Sequence, residues 1–157
     1  MDTSVLPIII LLPLILGTTL MSPLQRISRG MTALGAIGIS LSCFILLLTQ
    51  TKNVLQGNAV LQSWDWIPQL GINLSFRLDA LGLLFALLIS GIGTLIFIYA
   101  YYYLSPKNSL AKLYQLLMLF MAAMLGISLS NNLIVLLVFW ELTSISSFLL
   151  IGYWSQY

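Results

Sequence analysis

LIVLLVFWELTSISSFLLIGYW, the stretch from Leu133 to Trp154, is an apolar run long enough to cross a membrane, and it holds a single carboxyl group, that of Glu141. A helix rises about 1.5 Å per residue, so Glu141 lies about 15 Å from the polar turn at Asn131 and Asn132, near the midplane of a hydrocarbon layer about 30 Å thick. An acidic residue at that depth costs about 2.5–3.5 kcal/mol. We therefore expect Glu141 to face protein or water, and to bind a proton or a cation.

The whole chain has the composition of a membrane protein. Of its 157 residues, 60% are hydrophobic and only 6% are charged, whereas a soluble domain carries about 25% charged residues. The formal charge of +2 is too small and too scattered for a nucleic-acid surface, which excludes DNA and RNA partners. Cys43 is the one cysteine and the sequence has no histidine, so we expect no disulfide, no metal site and no cofactor.

Five apolar windows reach the length of a membrane span, at residues 4–21, 31–49, 80–103, 111–130 and 132–154. The sequence thus predicts an all-α integral membrane protein with five transmembrane helices. Ser22, Pro23 and Gly30 predict the first break between helices. Asp2 precedes the first window and no basic region or cleavage site follows, which favours a retained first helix over a signal peptide.

A long connection at residues 50–79 separates the second window from the third. Its Trp64, Trp66 and Pro68 predict an extended or hairpin segment at the membrane surface, with the tryptophans at headgroup depth. We divide the chain accordingly into residues 1–79, with two helices and this external segment, and residues 80–157, with three helices.

Basic residues in the short loops predict the orientation in the membrane. Arg26 and Arg29 lie in the first loop, and Lys107 and Lys112 lie in the third, so four of the six basic residues fall on one side. That side should be cytoplasmic, which places the N-terminus outside and the C-terminus inside. The odd number of helices further favours an N-terminal piece of a longer protein.

Hydroxyl groups follow Glu141 directly. At 100° per residue Ser144 lies on its side of the helix, and we expect Thr143 and Ser147 to flank it, so these side chains form a candidate path for water or ions. The alternative is that the hydroxyls bond to carbonyl groups of their own helix and help it to pack. All six basic residues fall in loops or at helix ends, so a cationic partner of Glu141 must come from another subunit or from further sequence.

Arg77 and Asp79, in the string FRLDALG, stand where the third window begins. An acidic side chain suits the N-terminus of a helix, and an arginine can bind a carboxylate or a phosphate. We favour a helix cap and a surface anchor for this pair. The alternative is an access point for cations from the outside.

Four strings carry a resemblance to a known family: WDWIP at 64–68, FRLDALGLLF at 76–85, YYYLSPK at 101–107 and NNLIVLLVFWELTSISSFLLIG at 131–152. Through them the chain resembles the A subunit of Mrp-type multisubunit sodium/proton antiporters over nearly its whole length. The string FWELTS, with the preceding NL, is the most specific to antiporter-like subunits.

The resemblance implies a large subunit with a fourteen-helix core of two inverted five-helix repeats, related to the proton-pumping subunits of respiratory complex I, whose antiporter-like part opens with residues 80–157. It implies that Glu141 relays protons and pairs with a lysine on helix seven, which these residues do not contain. The implied partners are other antiporter subunits in a hetero-oligomeric complex, sodium ions, protons and the lipid bilayer of the cell (plasma) membrane. A secondary transporter, and not an enzyme, is implied.

Two other functions stay open at this point. A proton-translocating subunit of complex I or of a membrane-bound hydrogenase would carry the same glutamate but couple to quinone or ferredoxin oxidation, and would depend on an electron donor. A non-transporting scaffold would only seat neighbouring subunits and keep Glu141 protonated. Mutation of a scaffold would disrupt assembly and leave transport unchanged.

Overall fold

Five long helices make up most of the computed structural model, which describes residues 5–106 and 108–153. Within these ranges the helices are α1 (Val5–Ile27), α2 (Arg29–Leu55), α3 (Ala80–Tyr103), α4 (Leu110–Leu129) and α5 (Leu133–Tyr153). Each is long and apolar enough to cross a membrane, because about 20 residues span a hydrocarbon layer of about 30 Å. The predicted helical membrane fold with five spans is confirmed.

The break between the first two helices is shorter than predicted. Helix α1 continues through Pro23 to Ile27, and α2 starts at Arg29 after the extended residue Ser28. The Ser28 hydroxyl accepts a hydrogen bond from the amide of Met31 at 3.0 Å, so Ser28 is the cap that ends one helix and starts the next. The predicted break, residues 22–30, contains Ser28, but Ser22 and Pro23 lie within α1, because a membrane helix tolerates proline.

Helix α1 is widened by a π-helical turn at Leu12–Leu16. Pro13 lies in this turn and has no amide proton, so the carbonyl group of Ile9 loses its partner within the helix. The buried thiol of Cys43 in α2 donates a hydrogen bond to that carbonyl at 3.5 Å. A side chain of the neighbouring helix therefore satisfies the group that proline leaves open.

A β-hairpin joins α2 to α3. Strand β1 (Val60–Ile67) pairs antiparallel with β2 (Ile72–Leu78), and Trp64 lies opposite Leu74. Gly71 adopts a left-handed conformation (φ 65°) at the turn, which glycine reaches without strain. The hairpin prediction for this connection is confirmed.

The hairpin is hydrogen-bonded to the turn between α4 and α5. The backbone amide of Asn131 donates to the carbonyl of Ser75 at 2.9 Å, and its side-chain amide donates to the Ser75 hydroxyl at 2.9 Å. The side-chain amide of Asn132 donates to the carbonyl of Asn73. We call this side of the bundle the hairpin end.

The opposite side, the basic end, is tied together by Arg29. Its guanidinium donates to the carbonyls of Ser105 at 3.0 Å, of Asn108 at 3.4 Å, and of Leu104. The first and third loops therefore share one end of the bundle, as the orientation argument requires. Which end faces the cytoplasm stays a prediction, and Asp2 and Lys107, which it also uses, lie outside the described residues.

The five helices differ in how much of their surface the rest of the bundle buries. Helix α4 lies at the centre and contacts the other four helices, and half of its most apolar window is buried. Helix α5 lies at the edge, packs mainly on α4, and has only 11% of its window buried. The helix that carries Glu141 is thus the one that the described bundle covers least.

Candidate functional site

Helix α5 is held at both ends and near its middle. Asn132 caps its start, since its side-chain oxygen accepts a hydrogen bond from the amide of Val135 at 2.8 Å. At the other end the Tyr153 hydroxyl donates to the carbonyl of Ser109 at 3.1 Å. Between them Phe139 lies against Gly126 of α4, where an added Cβ would come within 2.2 Å of the ring. These contacts fix the position of the helix, although most of its surface is open.

Glu141 lies near the middle of this helix, on its open face. It is about 12 Å along the axis from Leu133 and about 18 Å from Tyr153. Its side chain is exposed, and no hydrogen bond or ion pair joins it to any other side chain or backbone group of the described residues. A carboxyl group near the middle of a membrane helix needs polar surroundings, and the five described helices do not supply them. The expectation that Glu141 faces protein or water therefore stays a prediction.

The hydroxyl groups after Glu141 bond to their own helix. The hydroxyl of Thr143 donates to the carbonyl of Trp140 at 2.6 Å, and Ser144 donates to the same carbonyl at 3.4 Å. The buried Ser146 donates to the carbonyl of Leu142 at 2.8 Å. This is the packing alternative that the sequence left open.

The expected stripe of oxygens on one side of α5 is wrong in part. Ser144 is exposed, as is Glu141, but Thr143 and Ser147 are half-buried. A residue two positions further along a helix is rotated by about 200°, so Thr143 lies nearly opposite Glu141. Only Ser144 shares the open face with the carboxyl group.

Arg77 and Asp79 form the predicted cap of helix α3. A carboxylate oxygen of Asp79 accepts a hydrogen bond from the amide of Gly82 at 2.8 Å. Its other oxygen lies 3.8 Å from Nε of Arg77, and the two side chains are 51% and 46% exposed. The cap prediction is confirmed for Asp79, whereas the surface anchor and the access point for cations stay predictions. The pair lies at the hairpin end of the bundle, directly before α3.

We expect Asp79→Ala to lower the free energy of unfolding by about 1 kcal/mol, because the amide of Gly82 loses its acceptor. Asp79→Asn keeps an acceptor at the cap and loses only an exposed ion pair, so it should cost less than about 1 kcal/mol. Thermal unfolding in detergent measures both. If Asp79→Asn keeps the stability but weakens sodium-dependent transport, the residue is an access point for cations and more than a cap.

A buried polar cluster between α2 and α3 was missed from the sequence. The Ser40 hydroxyl lies 2.8 Å from the Thr94 hydroxyl and 3.0 Å from the carbonyl of Ser90, to which Thr94 donates at 2.8 Å. Single hydroxyls in apolar helices form no sequence pattern, so nothing in the sequence pairs them. Their oxygens satisfy one another, and we assign them to helix packing.

The described charged side chains other than Glu141 lie away from the middle of the helices. The described basic residues lie in loops, in the hairpin or in terminal helix turns: Arg26, Arg29, Lys52, Arg77 and Lys112. Among the described residues, no group of three or more histidine, cysteine, aspartate or glutamate side chains could hold a metal ion. Any cation that balances Glu141 must therefore lie outside these residues.

Comparison with known proteins gives a consistent relationship. Residues 64–114 match the family model described as NADH-Ubiquinone oxidoreductase (complex I), chain 5 N-terminus. The chain is 44% identical over 153 residues to the Na(+)/H(+) antiporter subunit A1 of Staphylococcus aureus, an alignment that covers 98% of this chain and 19% of that protein. The resemblance to the A subunit of Mrp-type antiporters is confirmed. The chain spans about a fifth of the length of the curated relatives it matches.

Two solved structures share the fold of this chain. The Mrp complex from a Dietzia species has a chain that superposes with a TM-score of 0.67 at 28% identity, covering 88% of this chain and 15% of that chain. The membrane-bound sulfane sulfur reductase, an archaeal respiratory membrane complex, has one that superposes with a TM-score of 0.78 at 24% identity, covering 93% and 22%. The second likeness shows the fold alone. The five-helix arrangement therefore occurs in an Mrp complex and in a respiratory membrane complex.

Proposed function

We propose that the chain is part of a multisubunit sodium/proton antiporter of the cell membrane, in which Glu141 relays protons. The observation that carries the proposal is a lone carboxyl group halfway along a membrane helix, on a face that the described helices leave open. Such groups are expensive in hydrocarbon and are retained where protons or ions pass. The 44% identity to a sodium/proton antiporter subunit A1 supports the antiporter.

Other subunits of a hetero-oligomeric complex, or further helices, would cover the open face of α5. The charge of Glu141 requires that the covering surface bring a cation, and a lysine is the cation that can also carry a proton. Thr143 and Ser147 are half-buried, so Ser144 is the hydroxyl best placed to hold a water molecule beside the carboxyl group. In this scheme α3, α4 and α5 open the antiporter-like domain.

The relay follows from the coupling of two charges. When Glu141 is ionised, it stabilises the protonated form of the lysine. When Glu141 takes up a proton it becomes neutral, this attraction is lost, and the lysine releases its proton onward. One proton enters and one leaves, so the pair moves charge without any redox step. The proton gradient would thus drive cytoplasmic sodium outward in exchange for external protons, and the protein would be a transporter and not an enzyme.

Vesicles that contain the assembled complex test this function. We expect sodium added to acidified vesicles to dissipate the pH gradient in the absence of any electron donor, because an antiporter couples only the two ion gradients. Potassium chloride at the same ionic strength is the control for salt effects. A pH change that requires NADH or ferredoxin would contradict the proposal.

A second candidate is a proton-translocating subunit of a redox-driven complex. The match of residues 64–114 to a complex I chain favours it specifically. Glu141 would keep its relay role there, but electron transfer in another subunit would drive it. Strict dependence of proton movement on an electron donor, with no response to sodium alone, is the result that this candidate predicts.

A further inference from the structure

The basic end of the bundle carries several positive charges, and none of the described acidic side chains lies there. Arg26, Arg29 and Lys112 lie there. The acidic residues that the structure describes lie elsewhere: Asp65 in β1 and Asp79 at the start of α3 are at the hairpin end, and Glu141 is midway along α5. Basic side chains at the end of a membrane bundle attract anionic headgroups.

Of the two arginines at this end, one is already engaged. The guanidinium of Arg29 donates to three backbone carbonyls of the loop that follows α3. Arg26, in the last turn of α1, is exposed and makes no hydrogen bond or ion pair with any other residue in the described ranges. Its five N–H donors are therefore free for a ligand.

Arg26 lines a shallow, open cleft of about 330 Å³ between the end of α1 and the start of α4, with Ser22, Gln25, Ser109 and Ala111. The side-chain oxygen of Gln25 accepts the amide of Ala111 at 2.5 Å, and the Ser109 hydroxyl accepts the amide of Lys112 at 3.4 Å. These first amides of α4 are thus already bonded. The donors left over are the Arg26 guanidinium and the Ser22 hydroxyl, whose oxygen accepts from Gln115 at 3.0 Å and whose proton remains free.

We propose that this cleft binds the phosphate group of an anionic phospholipid. The planar fork of a guanidinium matches two phosphate oxygens, and a neighbouring hydroxyl can donate to a third. The cleft lies where two membrane helices end, at the level of the lipid headgroups. The net positive charge of this end selects an anionic lipid over a zwitterionic one. The proposal does not depend on antiporter activity.

Spin-labelled lipids can test the site on the full-length protein in its complex, reconstituted in vesicles. We expect phosphatidylglycerol to associate more strongly than phosphatidylcholine, and Arg26→Gln to reduce this preference about five-fold, the equivalent of about 1 kcal/mol for one charge near the surface. Lys52→Gln is the matched control, because Lys52 is an exposed cation of the last turn of α2 at the hairpin end. It should leave the preference unchanged. Ser22→Ala should reduce it about two-fold, as expected for the loss of one hydrogen bond.

Three results would overturn the proposal. An equal loss in the Arg26 and Lys52 variants would show a general charge effect and no specific cleft. An unchanged preference in Arg26→Gln, with thermal stability unaltered, would remove Arg26 from any site. Displacement of the labelled lipid by millimolar inorganic phosphate would assign the cleft to a free anion and not to a lipid.

Discussion

Glu141→Gln is expected to reduce sodium/proton exchange by the assembled complex at least about 100-fold, the scale on which a positioned proton-transfer group acts. Glutamine keeps the volume of the side chain and its position on the open face of α5, but it cannot take up or release a proton at any physiological pH. The measurement is the sodium-dependent loss of a pH gradient in vesicles. Glu141→Asp, which keeps the carboxyl group on a shorter side chain, should retain part of the activity.

Asp65→Asn is the matched control for the loss of one acidic group. Asp65 is exposed on β1, away from the membrane-spanning helices, and its replacement should leave exchange unchanged. Native gel electrophoresis reports whether each variant still assembles. Full sodium/proton exchange by an assembled Glu141→Gln complex would contradict the proposed role of Glu141 as a proton relay. Loss of assembly, with normal exchange in the fraction that still assembles, would instead favour the scaffold interpretation.

Gly126→Val should lower the free energy of unfolding by at least about 3 kcal/mol, at the upper end of the range for overpacked cores. The added Cβ would lie 2.2 Å from Cδ1 and 2.3 Å from Cγ of Phe139. The ring cannot turn away freely, because it also packs against Phe76, with ring centroids 6.2 Å apart. Helix α5 must then separate from α4, and thermal unfolding in detergent should detect the loss.

Two further variants isolate this contact. Gly38→Val makes the same change at an exposed position of α2 where nothing lies within 4 Å of the added atom, so its effect measures the difference in helix propensity between glycine and valine. Phe139→Ala, combined with Gly126→Val, removes the clashing ring. We expect the double variant to be more stable than the sum of the single changes predicts. If the changes in the free energy of unfolding were strictly additive, the two side chains would not be in contact.

Much of the fold follows from hydropathy alone. A run of about 20 apolar residues has few alternatives to a membrane helix, and the tryptophans and Pro68 between the second and third windows indicated the hairpin. Helix ends were harder to predict. Pro23 suggested a break, yet the helix continues past it, since the cost of a missing amide depends on neighbouring groups that local sequence does not reveal.

The candidate site was predicted in part. The position of Glu141 midway along α5 follows from counting residues along a helix, and the cap at Asp79 follows from its position before an apolar run. The direction in which Glu141 points depends on which face of α5 packs against α4. Gly126 and Phe139 largely determine that face, and their contact is not visible in the sequence of either helix. The cleft at Arg26 combines residues more than 80 positions apart and carries no local motif.

At both ends of the bundle, hydrogen bonds connect segments that are separate in the chain. Asn131 and Asn132 join the hairpin to the α4–α5 turn, whereas Arg29 and Tyr153 tie the opposite loops. A bundle whose loops are hydrogen-bonded at both ends resists relative movement of its helices, so we expect it to behave as a rigid body. In a transport cycle the moving element would then be the surface that packs against the outer side of α5. Glu141 would lie on the stationary side of that interface.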